Sequence, residues 1–141
     1  MPTPKKLVRA VLERDNYICV IQSVYCTQVA TTADHRANRG MGGSKQLDQP
    51  ECLIAACWPC NGAGKEDAVG EARAELVARG IRVQKRATNA QTAERCTNIP
   101  VQYADGWFRL EGFARVPIKV LEAVEYMVLI GEITTGKGWA F

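Results

Sequence analysis

Residues 52–67 read CLIAACWPCNGAGKED, and they set the terms for the rest of the chain. The short apolar segment Leu53 to Ala56 runs into Cys57-Trp58-Pro59-Cys60, a knuckle with two residues between its cysteines. Upstream, Cys19 and Cys26 form a looser pair with six intervening residues. Zinc takes four thiolate or imidazole ligands in a tetrahedron, and two facing turns that each carry a cysteine pair supply them. A closed site of Cys19, Cys26, Cys57 and Cys60 would be structural, pinning a fold too small to bury much core. The alternative fate of free cysteines is to act as small buried hydrophobes, and that suits Cys52 and Cys96 better than the other four.

Composition narrows the class. A length of 141 residues predicts one compact domain with a small appendage. Hydrophobic residues at 47% and charged residues at 23% exclude wholesale disorder and a collagen-like repeat. The most apolar stretch, Val116 to Ile133, is interrupted by Pro117, Lys119, Glu122, Glu125, Gly131 and Glu132. It therefore falls short of the ~20 apolar residues that cross a bilayer. The opening MPTPKKLVRAVLERD has no apolar core or small-residue cleavage site, so no signal peptide is expected. A soluble cytoplasmic protein without a membrane partner is the expectation, and in that compartment six cysteines point to metal rather than disulfides. The net charge of +3 is compatible with nucleic acid but too small to argue for it alone.

Around the knuckles, Thr3 as N-cap and Pro4 at the first position predict a helix over 4–14, with Leu7, Val8, Val11 and Leu12 on one face. Val29 to Ala33 reads as a strand ending on Asp34-His35. Residues 36–50 form a polar, Gly-rich loop. A helix is expected from about Pro59, firmer from Glu66 to Arg79, stopped by Gly80. Residues 84–98 lack periodicity and read as a linker or long loop. Beyond them, Val101 to Tyr103 and Trp107 to Leu110 flank the turn Ala104-Asp105-Gly106, and Phe113 to Val116 adds a third strand. Pro117 then opens a helix to about Ile130 with Ile118, Leu121, Val124, Met127 and Val128 buried. Tyr103, Trp107 and Phe108 are expected to pack beneath that helix rather than stack on bases.

His35 is the only histidine. It follows a carboxylate at a strand end, precedes a loop with Gly and Arg, and lies between the halves of the zinc site. These features together suit a catalyst.

The stretches RDNYIC, ADHRANRGMGGS and CWPCN, spanning Arg14 to Asp67, resemble the HNH or ββα-metal nucleases. The wording is similar to small HNH proteins of actinobacterial bacteriophages. The resemblance implies a zinc-stabilised ββα-metal core over 1–83; with the linker 84–98 and the β-hairpin plus helix appendage over 99–141 read from the residues, the expected fold class is α+β. The resemblance also implies a metal-dependent DNA endonuclease that nicks or cuts both strands, leaving 5′-phosphate and 3′-hydroxyl ends, in phage DNA processing. His35 would be the general base, and Asp34 and Asn61 would hold a catalytic Mg²⁺ or Mn²⁺. Arg36, Arg39, Lys45 and Lys65 would contact phosphates, the alternative for the loop cations being a solvated polar surface. DNA is the implied partner, with a homodimer or phage packaging and replication proteins left open.

Two positions depart from the family pattern. Cys52 stands where the family has its central Asn; its backbone carbonyl could substitute, or Gln49 or Asn38 must serve. Lys65 falls one place late. A zinc-containing DNA-binding or adaptor protein with a degenerate nuclease site is the competing reading.

Overall fold

The computed structural model describes residues 2–38 and 45–132 and shows a mixed α+β fold with two small antiparallel sheets. Helix α1 (Lys5–Arg14) buries Val11 and Leu12 on its apolar stripe. Thr3 does not cap it: Pro4 occupies the cap position, and the Thr3 hydroxyl lies 3.4 Å from Asp48 Oδ1. Strand β1 (Thr32–His35) pairs with β2 (Leu53–Ala56), setting Asp34 opposite Ile54 and His35 opposite Leu53. The four residues of β2 are all buried, as their unbroken apolar run requires. Val29 falls outside β1 and instead bridges to Ile18, closing the loop that carries the first cysteine pair.

The helix expected from Pro59 to Arg79 is two pieces. A π-helical segment (Cys60–Glu66) is followed by a break, then α2 (Gly70–Ala78). Gly64 is needed in the first piece because a Cβ there would overlap the Ser23 side chain of the first knuckle. Gly80 stops α2 as anticipated, at φ +72°, and its missing Cβ also clears the Pro100 carbonyl.

Residues 84–98 are not a linker. They contain α3 (Asn89–Asn98), opened by a capping box in which Gln91 N–H donates to Thr88 Oγ1 at 3.1 Å and Thr88 N–H donates to Gln91 Oε1 at 3.3 Å. Strands β3 (Val101–Tyr103), β4 (Gly106–Glu111) and β5 (Ala114–Ile118) form the second sheet, with Tyr103 opposite Gly106 across the turn. Pro117 lies inside β5, an edge strand where a missing N–H is tolerated, so helix α4 (Val120–Leu129) starts later than expected. Its inward residues are Ala123 and Met127, whereas Leu121 is 74% exposed.

The C-terminal hairpin is no appendage. Val101, Tyr103 and Leu110 share one apolar cluster with Leu12, Cys19, Ile54 and Leu76. A second cluster joins Cys52, Cys96, Ile99, Trp107 and Met127. Tyr103 and Phe108 meet edge to face at 5.3 Å, and the Arg115 guanidinium covers both rings.

Between these layers sits a buried polar clamp. The Arg14 guanidinium donates to both oxygens of Asp15, at 2.9 and 3.0 Å, and to the carbonyls of Pro50 and Leu53. Asp15 also accepts from Tyr103 Oη at 2.8 Å and from the Ala55 N–H at 3.0 Å. One carboxylate thus ties α1 to β2 and to β3.

Candidate metal centre and the Asp34–His35 site

Cys19, Cys26, Cys57 and Cys60 come together with their Sγ atoms all within 4.8 Å of one another. A zinc ion with Zn–S bonds of ~2.3 Å sets its tetrahedral sulfurs ~3.8 Å apart, so the cluster could hold one with small adjustments. The surrounding backbone favours thiolates. Ser23 N–H points at Cys60 Sγ (3.4 Å), Thr27 N–H at Cys57 Sγ (3.5 Å) and Gln28 N–H at Cys26 Sγ (3.3 Å). Burial pushes the Cys19, Cys26 and Cys60 thiols up; at Cys57 burial acts the same way, but hydrogen bonds from Thr27 and Cys60 outweigh it and bring the thiol to about 6. Four such sulfurs need a cation to ionise together. Arg79 braces the first knuckle by donating to the carbonyls of Ile21 (2.8 Å) and Val20 (3.1 Å).

Cys52 and Cys96 stay apart from this cluster, buried in the second apolar cluster. The two thiols act on each other, which pushes Cys52 up and draws Cys96 down to about 7.

Asp34 is buried near the end of β1, and burial pushes its carboxyl up to about 6 while Lys65 opposes that shift. Its Oδ2 lies 3.0 Å from Lys65 Nζ, which also donates to the His35 carbonyl at 2.9 Å. Lys65 is therefore no phosphate contact: its side chain is 1% exposed and pairs the π-helical segment with β1. Asn61 lies four residues earlier in the same segment and is half-buried. A carboxylate can accept through both oxygens. Carboxylate and amide oxygens are the hard donors that Mg²⁺ or Mn²⁺ prefers, and Asp34 and Asn61 are residues of that kind.

The His35 ring is only 12% exposed and is held by Asp48, with Nε2 2.7 Å from Asp48 Oδ1. An ionised carboxylate only accepts, so Nε2 is the donor in this pair. Two of the three residues considered for this orienting role, Cys52 and Gln49, turn elsewhere. The Cys52 carbonyl accepts from Arg36 N–H at 2.8 Å, and the Gln49 amide donates to the Gln46 carbonyl at 2.7 Å. Asp48 carries no sequence signal beyond lying in a polar loop, and only the folding of that loop against β1 brings it to the ring.

Arg36 is not a phosphate contact either. It is fully buried, and its guanidinium donates to the carbonyls of Gly80 (2.9 Å), Glu51 (2.8 Å), Cys96 (2.7 Å) and Ile99 (2.8 Å). Three of these carbonyls belong to the C-terminal ends of α2 and α3, where orphan acceptors and the negative end of the helix dipole favour a cation. Arg36 knits the fold and cannot reach a phosphate. Lys45 is exposed at the start of a single 3-10 turn (Lys45–Leu47), consistent with a phosphate contact or with a solvated loop; Arg39 and the glycines after it lie outside the described residues.

No family model matches the chain, and neither a curated protein nor a solved structure is significantly similar to it. None of the described helices is long and apolar enough to cross a membrane.

Proposed function

We propose that this protein is a metal-dependent DNA endonuclease of the HNH type, acting in phage DNA processing. The observation that carries the reading is a histidine whose ring is fixed by a carboxylate, His35 on Asp48 at 2.7 Å, immediately after a buried carboxylate, Asp34. The order strand, loop, strand, helix around them supports it, as does the cysteine cluster that would anchor a structural zinc.

In this reading Asp34 and Asn61 would hold a Mg²⁺ or Mn²⁺ ion, which would supply neutralising charge at the leaving 3′ oxygen. His35 would take a proton from the attacking water as general base, and Asp48 would stabilise the imidazolium that results. Neighbouring side chains on a strand alternate between faces, so a phosphate engaged by both Asp34 and His35 sits at the strand's end. Hydrolysis leaves a 5′-phosphate and a 3′-hydroxyl.

The ion pair between Asp34 and Lys65 favours a second reading, a zinc-containing DNA-binding or adaptor protein, because the carboxylate already has a cation. Relaxation of supercoiled plasmid with added Mn²⁺ or Mg²⁺ separates them. Nicking that disappears in His35→Ala with zinc content unchanged supports the nuclease. A gel shift without nicking under either metal supports the binding module.

A further inference from the structure

The arginines differ in how far the fold uses their donors. Arg14, Arg36 and Arg79 each donate to several carbonyls or carboxylate oxygens and are absorbed by the fold. Arg82 is not. It is half-buried, and among the described residues its side chain makes one long hydrogen bond, from Nη1 to the Lys65 carbonyl at 3.5 Å. That carbonyl belongs to the residue whose Nζ lies 3.0 Å from Asp34 Oδ2.

The backbone fixes Arg82 there. Arg82 N–H donates to the Leu76 carbonyl at 3.2 Å, and Val83 N–H donates to the Arg36 carbonyl at 2.9 Å, one residue past His35. The segment therefore lies alongside the strand end where a phosphate would have to sit. It then leads to Lys85 and Arg86, both exposed, and Arg86 N–H is anchored on Thr92 Oγ1 at 2.9 Å. Between Glu75 and Glu94 the chain has no acidic residue. Asp34 already has Lys65, so a second cation is not needed to neutralise it. A half-exposed guanidinium with one long hydrogen bond among the described residues keeps donors for bidentate contact to a phosphate.

We propose that Arg82 binds a backbone phosphate of duplex DNA at the Asp34–His35 site and that Lys85 and Arg86 engage the flanking phosphates of the same strand. This rests on DNA being the substrate, as proposed above, and adds binding residues that lie outside the stretch resembling the HNH family.

The test is fluorescence anisotropy of a labelled mixed-sequence duplex with the zinc-loaded full chain, titrated over a range of KCl concentrations. Each lost phosphate contact flattens the slope of log K against log salt by about 0.9. Arg82→Ala is expected to show that change and an affinity loss of about tenfold at low salt, the order expected for losing a charged hydrogen-bonded contact. Arg82→Lys, which keeps the charge, should restore most of the slope. Arg82→Gln guards against misfolding, because it keeps the stem and removes only the charge; zinc content and the urea midpoint verify each variant. Lys85→Ala and Arg86→Ala should each flatten the slope in the same way. Unchanged slope and affinity in Arg82→Ala and Arg82→Gln overturn the proposal, whether or not the native protein nicks DNA. Absence of DNA binding by the native protein overturns it together with the nuclease reading. A flattened slope in a protein that never nicks supports Arg82 as a phosphate contact while the nuclease reading fails.

Discussion

Replacing Asp15 by Ala tests the polar clamp that joins α1, β2 and β3. The carboxylate accepts four hydrogen bonds, two from Arg14, one from Tyr103 Oη and one from the Ala55 N–H. Its side chain is fully buried, so water cannot replace it. Removal leaves the Arg14 guanidinium with only the carbonyls of Pro50 and Leu53. Stranding a buried charge costs ~3–5 kcal/mol, and these two remaining bonds place the cost at the low end, about 3 kcal/mol. The orphaned Ala55 N–H and Tyr103 O–H add about 1 kcal/mol each, for a total of about 5 kcal/mol. Domains of this size have ~5–15 kcal/mol in all, so the variant should be barely stable. Tyr103→Phe removes a single bond to a charged group and should cost about 1.5–2 kcal/mol. Because both substitutions break the same bond, Tyr103→Phe should cost close to nothing in the Asp15→Ala background, a coupling of at least ~1 kcal/mol. Equilibrium urea unfolding of the four zinc-loaded proteins measures this directly. An Asp15→Ala cost below about 1 kcal/mol, or simple additivity of the two substitutions, would refute the clamp.

Zinc analysis with chelator-driven release should find one ion per chain, lost in Cys57→Ser and retained in Cys52→Ala, with loss of the near-UV signal on chelation. Gly80→Ala should cost more than Gly112→Ala. Both glycines have positive φ (+72° and +62°), worth ~1–2 kcal/mol for any other residue, but only Gly80 would also press a Cβ into the Pro100 carbonyl. Urea midpoints compare the two, and equal costs would contradict the packing of α2 against that carbonyl. Thr88→Ala should lose about 1 kcal/mol by removing the side-chain cap of α3, and Thr88→Ser, which keeps the hydroxyl, should recover most of it in the same unfolding assay.

The periodicity of α1, the apolar run of β2, the Gly80 stop and the Ala104-Asp105 turn were legible because each depends on residues within a few positions of one another. The cysteine pairs were legible for a related reason, since a metal fixes ligand spacing along the chain as well as in space. Helix α3 was also within reach. Its Thr88-x-x-Gln91 capping box is a local signal, hidden by a polar sequence whose only buried face is Thr92, Ala93 and Cys96.

The work of the charged residues was settled by packing alone. Arg36 and Lys65 look alike in sequence to surface cations beside a nucleic-acid site, yet both are buried, one on helix-end carbonyls and the other on Asp34. Asp48 reaches His35 across 13 positions, and Tyr103 reaches Asp15 across 88. A charge can be buried only where acceptors converge on it, and that convergence is set by how distant elements pack. The order of residues along the chain thus names the groups able to carry metal and proton chemistry. Their convergence in three dimensions selects which cations hold the fold together.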